Sequence, residues 1–287
     1  SVSGAGDVDG DGTPDLIVGA IGDDDPNGSV SGSARVFSGN GGGALFTSYG
    51  DNADDAFGWS VSGAGDVDND GSDDLIVGAP FDDNNGSFSG SARVLSGNGG
   101  GTLFTFKGDD AGDLFGISVS GAGDVNNDGT PDLIVGAETD DNNGRSSGSA
   151  RVLSGDGGGT LFTFDGEEGD FLGLSVSGAG DVDGDGYDDL IVGSDADNKN
   201  DLSVGGASVF SGKKGSDGEN KADSELFTSI GESDGDQFGD SVSGAGDVNN
   251  DGFDDLIVGA QRDDNNGSDS GSARVFSGAN GSALFTF

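Results

Sequence analysis

Cysteine and histidine are both absent from this chain of 287 residues. Without cysteine, the chain can form neither a disulfide framework nor a zinc–thiolate site. Without histidine it lacks the commonest general base, and the two absences together remove the cysteine nucleophile and the usual transition-metal ligands. These absences exclude most classes of enzyme, and the sequence predicts a protein that is not an enzyme.

Basic residues are scarce: 11 lysines and arginines stand against 54 acidic residues, which gives a formal net charge of −43 at pH 7. Phosphate backbones bind patches of lysine and arginine, so nucleic acid is not an expected partner. No apolar run approaches the ~20 residues that cross a bilayer, and no membrane insertion is expected. Because apolar residues are few and the acidic charge is high, folding of this chain calls for something that neutralises the acid.

Glycine is abundant, with 61 residues, and it helps to mark an internal repeat. The segment SVSGAGDV or its equivalent starts at Ser1, Ser60, Ser118, Ser175 and Ser241. Each unit then passes through four short apolar segments, which in the second unit are WSVSGAGDV, DLIVGAP, GSARVLSG and GTLFTFKG. Segments of this length, rich in β-branched and aromatic residues and bounded by glycine and asparagine, are typical of β-strands.

Four strands per unit predict an all-β fold made of small antiparallel meanders. Such a meander cannot bury both of its faces alone, so neighbouring units must stack, and four-stranded units arranged radially form a β-propeller. We therefore predict a single β-propeller domain over residues 1–287, with blades at approximately 1–59, 60–117, 118–174, 175–240 and 241–287. The five repeats form either a closed ring or part of a longer array.

An acidic loop joins the first two predicted strands of every unit, with the pattern DxDxDGxxD, in which asparagine replaces the second aspartate in the third and fifth units. Positions 1, 3 and 5 offer side-chain oxygens, the glycine at 6 permits a sharp turn, and position 7 offers its backbone carbonyl. An EF-hand closes its site with a glutamate at position 12, whereas here the closing carboxylate is the aspartate at position 9. Carboxylates this close repel strongly unless a cation lies among them, and an all-oxygen ligand set favours Ca²⁺.

We predict about five Ca²⁺ ions, one per blade, each held by the residues at positions 1, 3, 5, 7 and 9. These residues are Asp7, Asp9, Asp11, Thr13 and Asp15; Asp66, Asp68, Asp70, Ser72 and Asp74; Asp124, Asn126, Asp128, Thr130 and Asp132; Asp181, Asp183, Asp185, Tyr187 and Asp189; and Asp247, Asn249, Asp251, Phe253 and Asp255.

The units resemble FG-GAP repeats, the blades of the integrin α-subunit β-propeller and of its bacterial relatives. Phe57-Gly58, Phe115-Gly116, the acidic loop and the segment LIVGAP at 75–80 carry the resemblance, which covers essentially the whole chain. It implies calcium loops on the lower face, and recognition of partners by the second-to-third and fourth-to-first loops on the opposite face. Because integrin propellers have seven blades, we expect either a closed five-bladed ring or part of a seven-bladed one.

Together these features predict a calcium-stabilised extracellular β-propeller, secreted or at the cell surface, that acts as a rigid adhesion or ligand-binding platform. The expected partner is a protein or glycan on the face opposite the calcium loops, besides any further blades or domains of a longer chain. Two alternatives stay open: a carbohydrate-binding lectin-type propeller and a purely structural assembly module. With one tryptophan and two tyrosines the aromatic platforms of a lectin are scarce, and the near-identity of the repeats favours the module.

Arginine recurs in the GSARV segment, whereas the fourth unit has Ser208 at that place. We predict that these arginines form structural ion pairs with aspartates of the same or a neighbouring blade. The phenylalanines of the FG and LFTF segments and the single Trp59 are predicted to lie in the core between blades. The long loop 212–225 of the fourth unit is expected to be solvated, with a partner contact as the alternative. The recurrent arginines are Arg35, Arg93, Arg151 and Arg274.

Overall fold

The computed structural model of this protein describes residues 1–24, 28–195, 204–212, 225–233 and 235–287. These residues form five antiparallel sheets of four strands each, which confirms the predicted all-β fold. Within every sheet the strands follow one another in chain order, so each sheet is a simple meander. Most of the loop 212–225, for which solvent exposure was predicted, lies outside the described residues.

The strand bounds repeat closely from sheet to sheet. The first sheet contains β1 (Val2–Gly6), β2 (Asp15–Ala20), β3 (Ser33–Phe37) and β4 (Ala44–Tyr49). The second contains β5 (Val61–Gly65), β6 (Asp74–Ala79), β7 (Ser91–Leu95) and β8 (Thr102–Lys107). The third contains β9 (Ser118–Gly123), β10 (Asp132–Ala137), β11 (Ser149–Leu153) and β12 (Thr160–Asp165). The fourth contains β13 (Ser175–Gly180), β14 (Asp189–Ser194), β15 (Gly206–Phe210) and β16 (Glu225–Ile230). The fifth contains β17 (Phe238–Gly246), β18 (Asp255–Ala260), β19 (Ser272–Phe276) and β20 (Ala283–Thr286).

The first strands of consecutive sheets lie against one another in series, from β1 to β17. The glycine at the fourth position of the SVSGAG segment makes this approach possible. A Cβ atom on Gly121 would lie 2.9 Å from the carbonyl oxygen of Gly63, and one on Gly178 would lie 3.0 Å from that of Gly121. Glycine is therefore needed where the inner strands meet. Sheets that converge on their first strands have the arrangement of propeller blades.

The hydrophobic core lies between neighbouring sheets rather than within one. Ile17 and Val36 of the first sheet pack with Leu75 and Val77 of the second and with Phe57 of the connecting loop, and all five are at most 1% exposed. Equivalent clusters fill the next three interfaces. The predicted stacking of the units is thus confirmed.

The outer faces of the first and fifth sheets are open. Leu16 of β2 is 50% exposed, although Leu75 at the same place in the second sheet is buried. At the other end Val248 is 44% exposed, although its equivalent Val67 is buried. The sheets therefore do not close into a five-bladed ring in this structure. The number of blades in any larger ring and the blade boundaries stay predictions.

The phenylalanine of the fourth-to-first loop is held by the arginine of the next sheet. The guanidinium of Arg93 lies 4.8 Å from the ring centre of Phe57, and its Nη2 atom pairs with Asp51 at 2.6 Å. We call this arrangement the Arg–Phe contact. The predicted ion pairs are confirmed for Arg93, Arg151 and Arg274, but Arg35 has no acidic partner among the described residues. In the third sheet Arg151 makes the same contacts with the Phe115 ring and with Asp109. In the fifth sheet Arg274 makes them with the Phe238 ring and with Glu232.

Arg35 of the first sheet has a different environment, because no ring of the described residues caps its guanidinium. Its Nε atom donates to Oγ1 of Thr47 at 3.3 Å.

The prediction that the phenylalanines of the LFTF segments lie in the core holds for Phe162, which is 1% exposed. It is wrong for Phe285 and Phe287, which are 50% and 72% exposed. These two phenylalanines end the fifth sheet, which has no neighbour on that side among the described residues.

Candidate metal centre

The five acidic loops all join the first strand of a sheet to the second, so the meander places them at the same end of every sheet. Each loop turns through two residues with positive φ. Position 6 is always glycine, with φ between 84° and 94°, and position 4 is glycine or asparagine, with φ between 57° and 76°. These two residue types adopt that conformation most readily, which explains the DGDG, DNDG and NNDG sequences of the five loops.

The aspartate at position 1 organises the loop through its carboxylate. Oδ1 of Asp7 accepts a hydrogen bond from the backbone N–H of Asp11 at 3.0 Å, and Oδ2 accepts one from Gly12 at 2.9 Å. The N–H of Thr13 at position 7 in turn donates to Oδ1 of Asp11 at 2.9 Å. All three bonds recur in the other four loops. The loop is therefore shaped by its own acidic side chains.

In three loops the carboxylates converge on a common centre. One oxygen atom from each of Asp7, Asp9 and Asp15 lies within 4.8 Å of the other two. Three negative charges at this separation repel one another unless a cation lies among them. All the residues predicted to bind calcium lie in the five acidic loops. Their role as ligands stays a prediction. The other converging sets are Asp66, Asp68 and Asp70, and Asp181, Asp183 and Asp189.

The third loop carries a neutral amide, Asn126, at position 3. Its Nδ2 atom donates to Oδ1 of Asp132 at 3.4 Å, whereas its own Oδ1 atom is buried and accepts no hydrogen bond from the described residues. A buried oxygen without a partner is unfavourable, and native structures contain few such groups. A hard cation is a partner that suits an amide oxygen beside carboxylates. The donor set of this loop therefore fits Ca²⁺.

The aspartate at position 9 is almost completely buried in every loop, with at most 1% of its surface exposed. Oδ2 of Asp132 accepts the backbone N–H of Val125 at 3.1 Å, and Oδ1 accepts that of Gly155 at 3.1 Å. Because Gly155 lies in the turn between β11 and β12, this carboxylate ties the acidic loop to a second loop of the sheet. The other four sheets contain the same pair of bonds. Position 9 thus has a structural task besides its predicted ligand role.

Burial raises the pKa of three of these carboxyl groups. The pKa is raised to about 6 for Asp74 and to about 7 for Asp132 and Asp189, mainly by desolvation and further by neighbouring aspartates, while backbone hydrogen bonds act in the opposite direction. A cation beside such a group stabilises its charged form and lowers its pKa. Protons and a metal ion would therefore compete for position 9.

Position 8, which the sequence analysis did not single out, joins neighbouring loops. Oδ2 of Asp73 accepts the N–H of Asp7 at 2.7 Å, and the N–H of Asp73 donates to the carbonyl of Asp7 at 3.1 Å. Asp188 makes the same two bonds with Asp124, at 2.7 and 3.4 Å. The third loop has Pro131 here, which offers neither an N–H nor a carboxylate. The signal in the sequence was the Asp-Asp pair that ends the second, fourth and fifth loops.

The opposite end of the sheets carries the second-to-third and fourth-to-first loops, and an exposed aromatic cluster lies there. The core prediction for Trp59 is wrong, because this side chain is 37% exposed. It packs edge to face on Phe81 at 5.3 Å between ring centres, and Phe81 packs on Phe88 at 5.7 Å. Phe88 is 52% exposed and has a φ of 58°, with its N–H bonded to Oδ1 of Asp83 at 2.8 Å. We call Trp59, Phe81 and Phe88 the aromatic cluster.

The profile of the FG-GAP repeat matches four segments of the chain, residues 57–95, 115–153, 172–210 and 238–276, which are more than half of its length. The chain belongs to the FG-GAP repeat family. Each FG-GAP match begins at the phenylalanine or leucine that packs between two sheets, passes through an acidic loop and ends with the third strand of the sheet. The resemblance predicted from the sequence is confirmed.

Integrin α subunits are among the relatives of this FG-GAP chain. Integrin alpha-5 of Xenopus laevis is 33% identical over 210 residues, which are 66% of this chain and 19% of that protein. Integrin alpha-7 of Mus musculus is 37% identical over 157 residues, or 49% of this chain and 12% of that protein. Integrin alpha-6 of Gallus gallus is 31% identical over 156 residues, or 50% and 14%. The chain thus spans less than a fifth of these relatives.

The described part of the FG-GAP chain contains no helix with the length and apolar character needed to cross a membrane.

Proposed function

We propose that the acidic loops of this FG-GAP protein bind Ca²⁺, one ion per blade and about five in all. The observation that carries the proposal is the buried Oδ1 atom of Asn126, which has no partner among the described residues and stands in an acidic loop. The ligands would be the side chains at positions 1, 3, 5 and 9 and the carbonyl at position 7. Since position 9 also holds the turn between the third and fourth strands, an ion bound there would stabilise the whole end of a blade.

Calorimetric titration of calcium-free protein tests this proposal, with thermal melting in parallel. We expect about five ions per chain and a higher melting temperature with Ca²⁺ than with chelator. Asn126→Ala removes one ligand oxygen and should remove or weaken one binding event. Asn98→Ala, an exposed asparagine in the turn between β7 and β8, is the matched control and should leave the count unchanged. A melting temperature that the chelator does not change would contradict the proposal.

We further propose that the calcium-stabilised stack is a rigid platform for adhesion or ligand binding, secreted or at the cell surface, with no catalytic role. The likeness to integrin α subunits supports this proposal. Extracellular calcium modules have dissociation constants of about 10⁻⁴–10⁻³ M, which suits loops that depend on the calcium outside cells. A dissociation constant in the micromolar range would argue against the extracellular location.

The aromatic cluster is the proposed centre of the ligand-binding face. Aromatic side chains dominate the binding energy of many protein interfaces, and Trp59 and Phe88 remain exposed on the face opposite the acidic loops. An array of extracellular proteins, probed with the calcium-loaded chain, should give binding that Trp59→Ala and Phe88→Ala abolish. Tyr49→Ala is the control, because Tyr49 is an exposed aromatic residue outside the cluster.

The same cluster favours a second candidate function, a carbohydrate-binding propeller. Exposed aromatic rings lie here beside Asp83 and Asn84, whose polar groups could fix a sugar hydroxyl. A glycan array probed with the wild-type chain and with Phe88→Ala separates the two candidates. Glycan binding that the variant loses would support the lectin, whereas binding to proteins alone would support the adhesion platform.

A further inference from the structure

The first sheet has the residues that hold a phenylalanine ring in other sheets. In the second sheet Phe57 packs in one cluster with Val77 and Leu95, and the guanidinium of Arg93 lies over its ring. Val77 is paired with Arg93 across β6 and β7. The first sheet has the same pairing between β2 and β3, but no ring of the described residues lies against its arginine. The paired residues there are Val18 and Arg35.

A groove of about 520 Å³ lies at this place on the first sheet, on the face turned away from the second sheet. Its volume is within the range of ligand pockets, about 300–1,000 Å³. The groove is mainly apolar and accessible, since Ala20 is exposed whereas Ala79 at the same place in the second sheet is 3% exposed. We call it the outer groove. It is lined by Val18, Ala20, Gly22, Asp23, Ser33, Arg35 and Phe37.

The outer groove presents one positive charge that no acidic group of the described residues meets. Oγ of Ser33 donates to Oδ2 of Asp23 at 2.8 Å, so these two polar side chains pair with each other. The guanidinium of Arg35 is exposed, and its Nε atom bonds only to a neutral hydroxyl. Gly28, which follows the undescribed residues 25–27, lies on the other face of the sheet, because a Cβ atom there would be 2.6 Å from that of Ala53 in the loop to the second sheet.

The fifth sheet shows what the same groove holds when it is filled. Phe276 stands at the place of Phe37, and its ring packs edge to face with Phe238 at 6.0 Å between ring centres. Arg274 lies 5.5 Å from the centre of the Phe238 ring and pairs with Glu232 at 3.1 Å. One loop thus supplies both the ring and the carboxylate, and the carboxylate comes six residues before the ring. The spacing is the same for Asp51 and Phe57, and for Asp109 and Phe115.

Glycine follows the phenylalanine in each of these three loops. The N–H of Gly58 donates to the carbonyl of Gly78 at 3.0 Å, and that of Gly116 donates to the carbonyl of Gly136 at 2.9 Å. Gly58 has a φ of 89°, which glycine adopts more readily than other residues. In the first sheet Gly19 stands at the place of Gly78. A segment that fits the outer groove therefore has a carboxylate, five further residues, and then phenylalanine and glycine.

We propose that the outer groove binds an acidic Phe–Gly loop of a partner protein. The ring packs on Val18 and edge to face with Phe37. The guanidinium of Arg35 lies over the ring and pairs with the carboxylate that precedes it by six residues. The N–H of the glycine donates to the carbonyl of Gly19. The groove is separate from the acidic loops and from the aromatic cluster, so the proposal goes beyond calcium binding and the ligand-binding face.

A second copy of this chain does not supply such a loop from its described residues. The phenylalanines Phe57, Phe115 and Phe238 are each 1% exposed, because they pack between neighbouring sheets of their own chain. The corresponding residue of the remaining interface is Leu172, which is 8% exposed. A different protein with an accessible Phe–Gly loop is therefore the partner that fits.

Titration with the synthetic peptide GDDAGDLFGIS, which copies residues 108–118, tests the proposal by NMR of the calcium-loaded protein. Saturable shifts are expected at the backbone N–H groups of Ala20 and Arg35. No shifts are expected at Ala79 and Arg93, where Phe57 already fills the equivalent place. The peptide with alanine in place of its phenylalanine should bind at least about tenfold more weakly, because burial of the ring is lost. Equal binding of the two peptides, or no shift with the first, would overturn the proposal.

Arg35→Gln tests the pairing of charges. This variant should bind the peptide about two- to fivefold more weakly, since an exposed ion pair contributes little. It should also bind the peptide and its Asp109→Asn form equally, whereas the wild type prefers the first. Arg145→Gln makes the same change at an exposed arginine outside the groove and should behave as the wild type does. A preference for the acidic peptide that Arg35→Gln retains in full would contradict the proposal.

Ala20→Trp tests the location by placing a large side chain in the groove. Because Ala20 is exposed, the variant should keep its melting temperature and lose the binding of the peptide. Ala279→Trp, at an exposed alanine in the turn between β19 and β20, is the matched control and should bind normally. Unchanged binding by Ala20→Trp would contradict the location. Sedimentation of the protein alone should show a monomer, and self-association that Ala20→Trp abolishes would overturn the proposal in favour of a second copy.

Discussion

The carboxylate of Asp73 accepts a hydrogen bond from the backbone N–H of Asp7 at 2.7 Å, so the second acidic loop holds the residue at position 1 of the loop before it. Asp188 holds Asp124 in the same way, and the N–H of Asp254 lies 3.5 Å from the carbonyl of Asp181. Proline at position 8 interrupts the chain of bonds between the second and third loops. The five loops thus form two linked groups, the first with the second and the third to the fifth. Ordering of one loop by a cation should therefore order its bonded neighbour.

Replacing Asp73 with proline, the residue found at this place in the third loop, should uncouple the first two loops. Two hydrogen bonds are lost, which should lower the free energy of unfolding by about 1–3 kcal/mol. Hydrogen exchange of the Asp7 amide should become at least about tenfold faster, since 1.4 kcal/mol corresponds to a factor of ten. Exchange measured by NMR in saturating Ca²⁺ checks this expectation. Pro131→Ala, which breaks no such bond, is the control, and unchanged exchange at Asp7 would contradict the coupling.

The buried carboxylates at position 9 should give the calcium-free protein an unusual pH dependence. Their folded-state pKa values, about 6 for Asp74 and about 7 for Asp132 and Asp189, lie above the value of about 3.9 in an unfolded chain. The folded state therefore holds more protons between these values. The stability that these groups contribute is fully present below pH ~4 and is lost as the pH rises through 6 and 7.

The melting temperature of the calcium-free protein should accordingly fall between pH 5 and pH 8. With saturating Ca²⁺ the fall should shrink or reverse, because a bound cation favours the charged carboxylate and protons compete with it. Asp132→Asn cannot ionise, so the difference between this variant and the wild type isolates one group from the general charge of the chain. If the difference in melting temperature between Asp132→Asn and the wild type does not change with pH in calcium-free buffer, the raised pKa of Asp132 is contradicted.

The arginine of the third strand should contribute measurably to stability only in the sheets where a phenylalanine ring lies against its guanidinium. Arg151→Ala removes a cation–π contact worth about 0.5–1 kcal/mol and an ion pair worth at most about 1 kcal/mol, since Asp109 is 60% exposed. We expect a loss of about 1–2 kcal/mol in denaturant unfolding. Arg35→Ala in the first sheet, where no described ring caps the arginine, should change stability by at most about 0.5 kcal/mol. Equal losses of stability in the two variants would show that the contact with the phenylalanine ring does not account for the effect of Arg151→Ala.

The sequence was sufficient for the features that depend on one unit alone. The acidic loop could be predicted because the side-chain oxygens at positions 1, 3 and 5, the glycine at position 6 and Asp15 at position 9 all lie within nine residues. Contacts between units could not be predicted in the same way. Trp59 follows an FG pair just as Ile117 does, and only the structure shows that Trp59 is 37% exposed and packs on Phe81 of a neighbouring loop. The bond from Asp73 to Asp7 joins residues 66 positions apart.

Leu16 and Leu75 illustrate the same limit and provide the last prediction. Both belong to the segment DLIVGA, yet Leu16 is 50% exposed on the open face of the first sheet and Leu75 is completely buried between the first and second sheets. Leu75→Ala should lower the free energy of unfolding by about 2–5 kcal/mol, because it removes buried methyl groups and leaves a cavity. Leu16→Ala should cost less than about 1 kcal/mol, since its side chain gains little from burial. Denaturant unfolding of both variants in saturating Ca²⁺ makes the comparison, and equal losses would mean that the face of the first sheet is covered in solution.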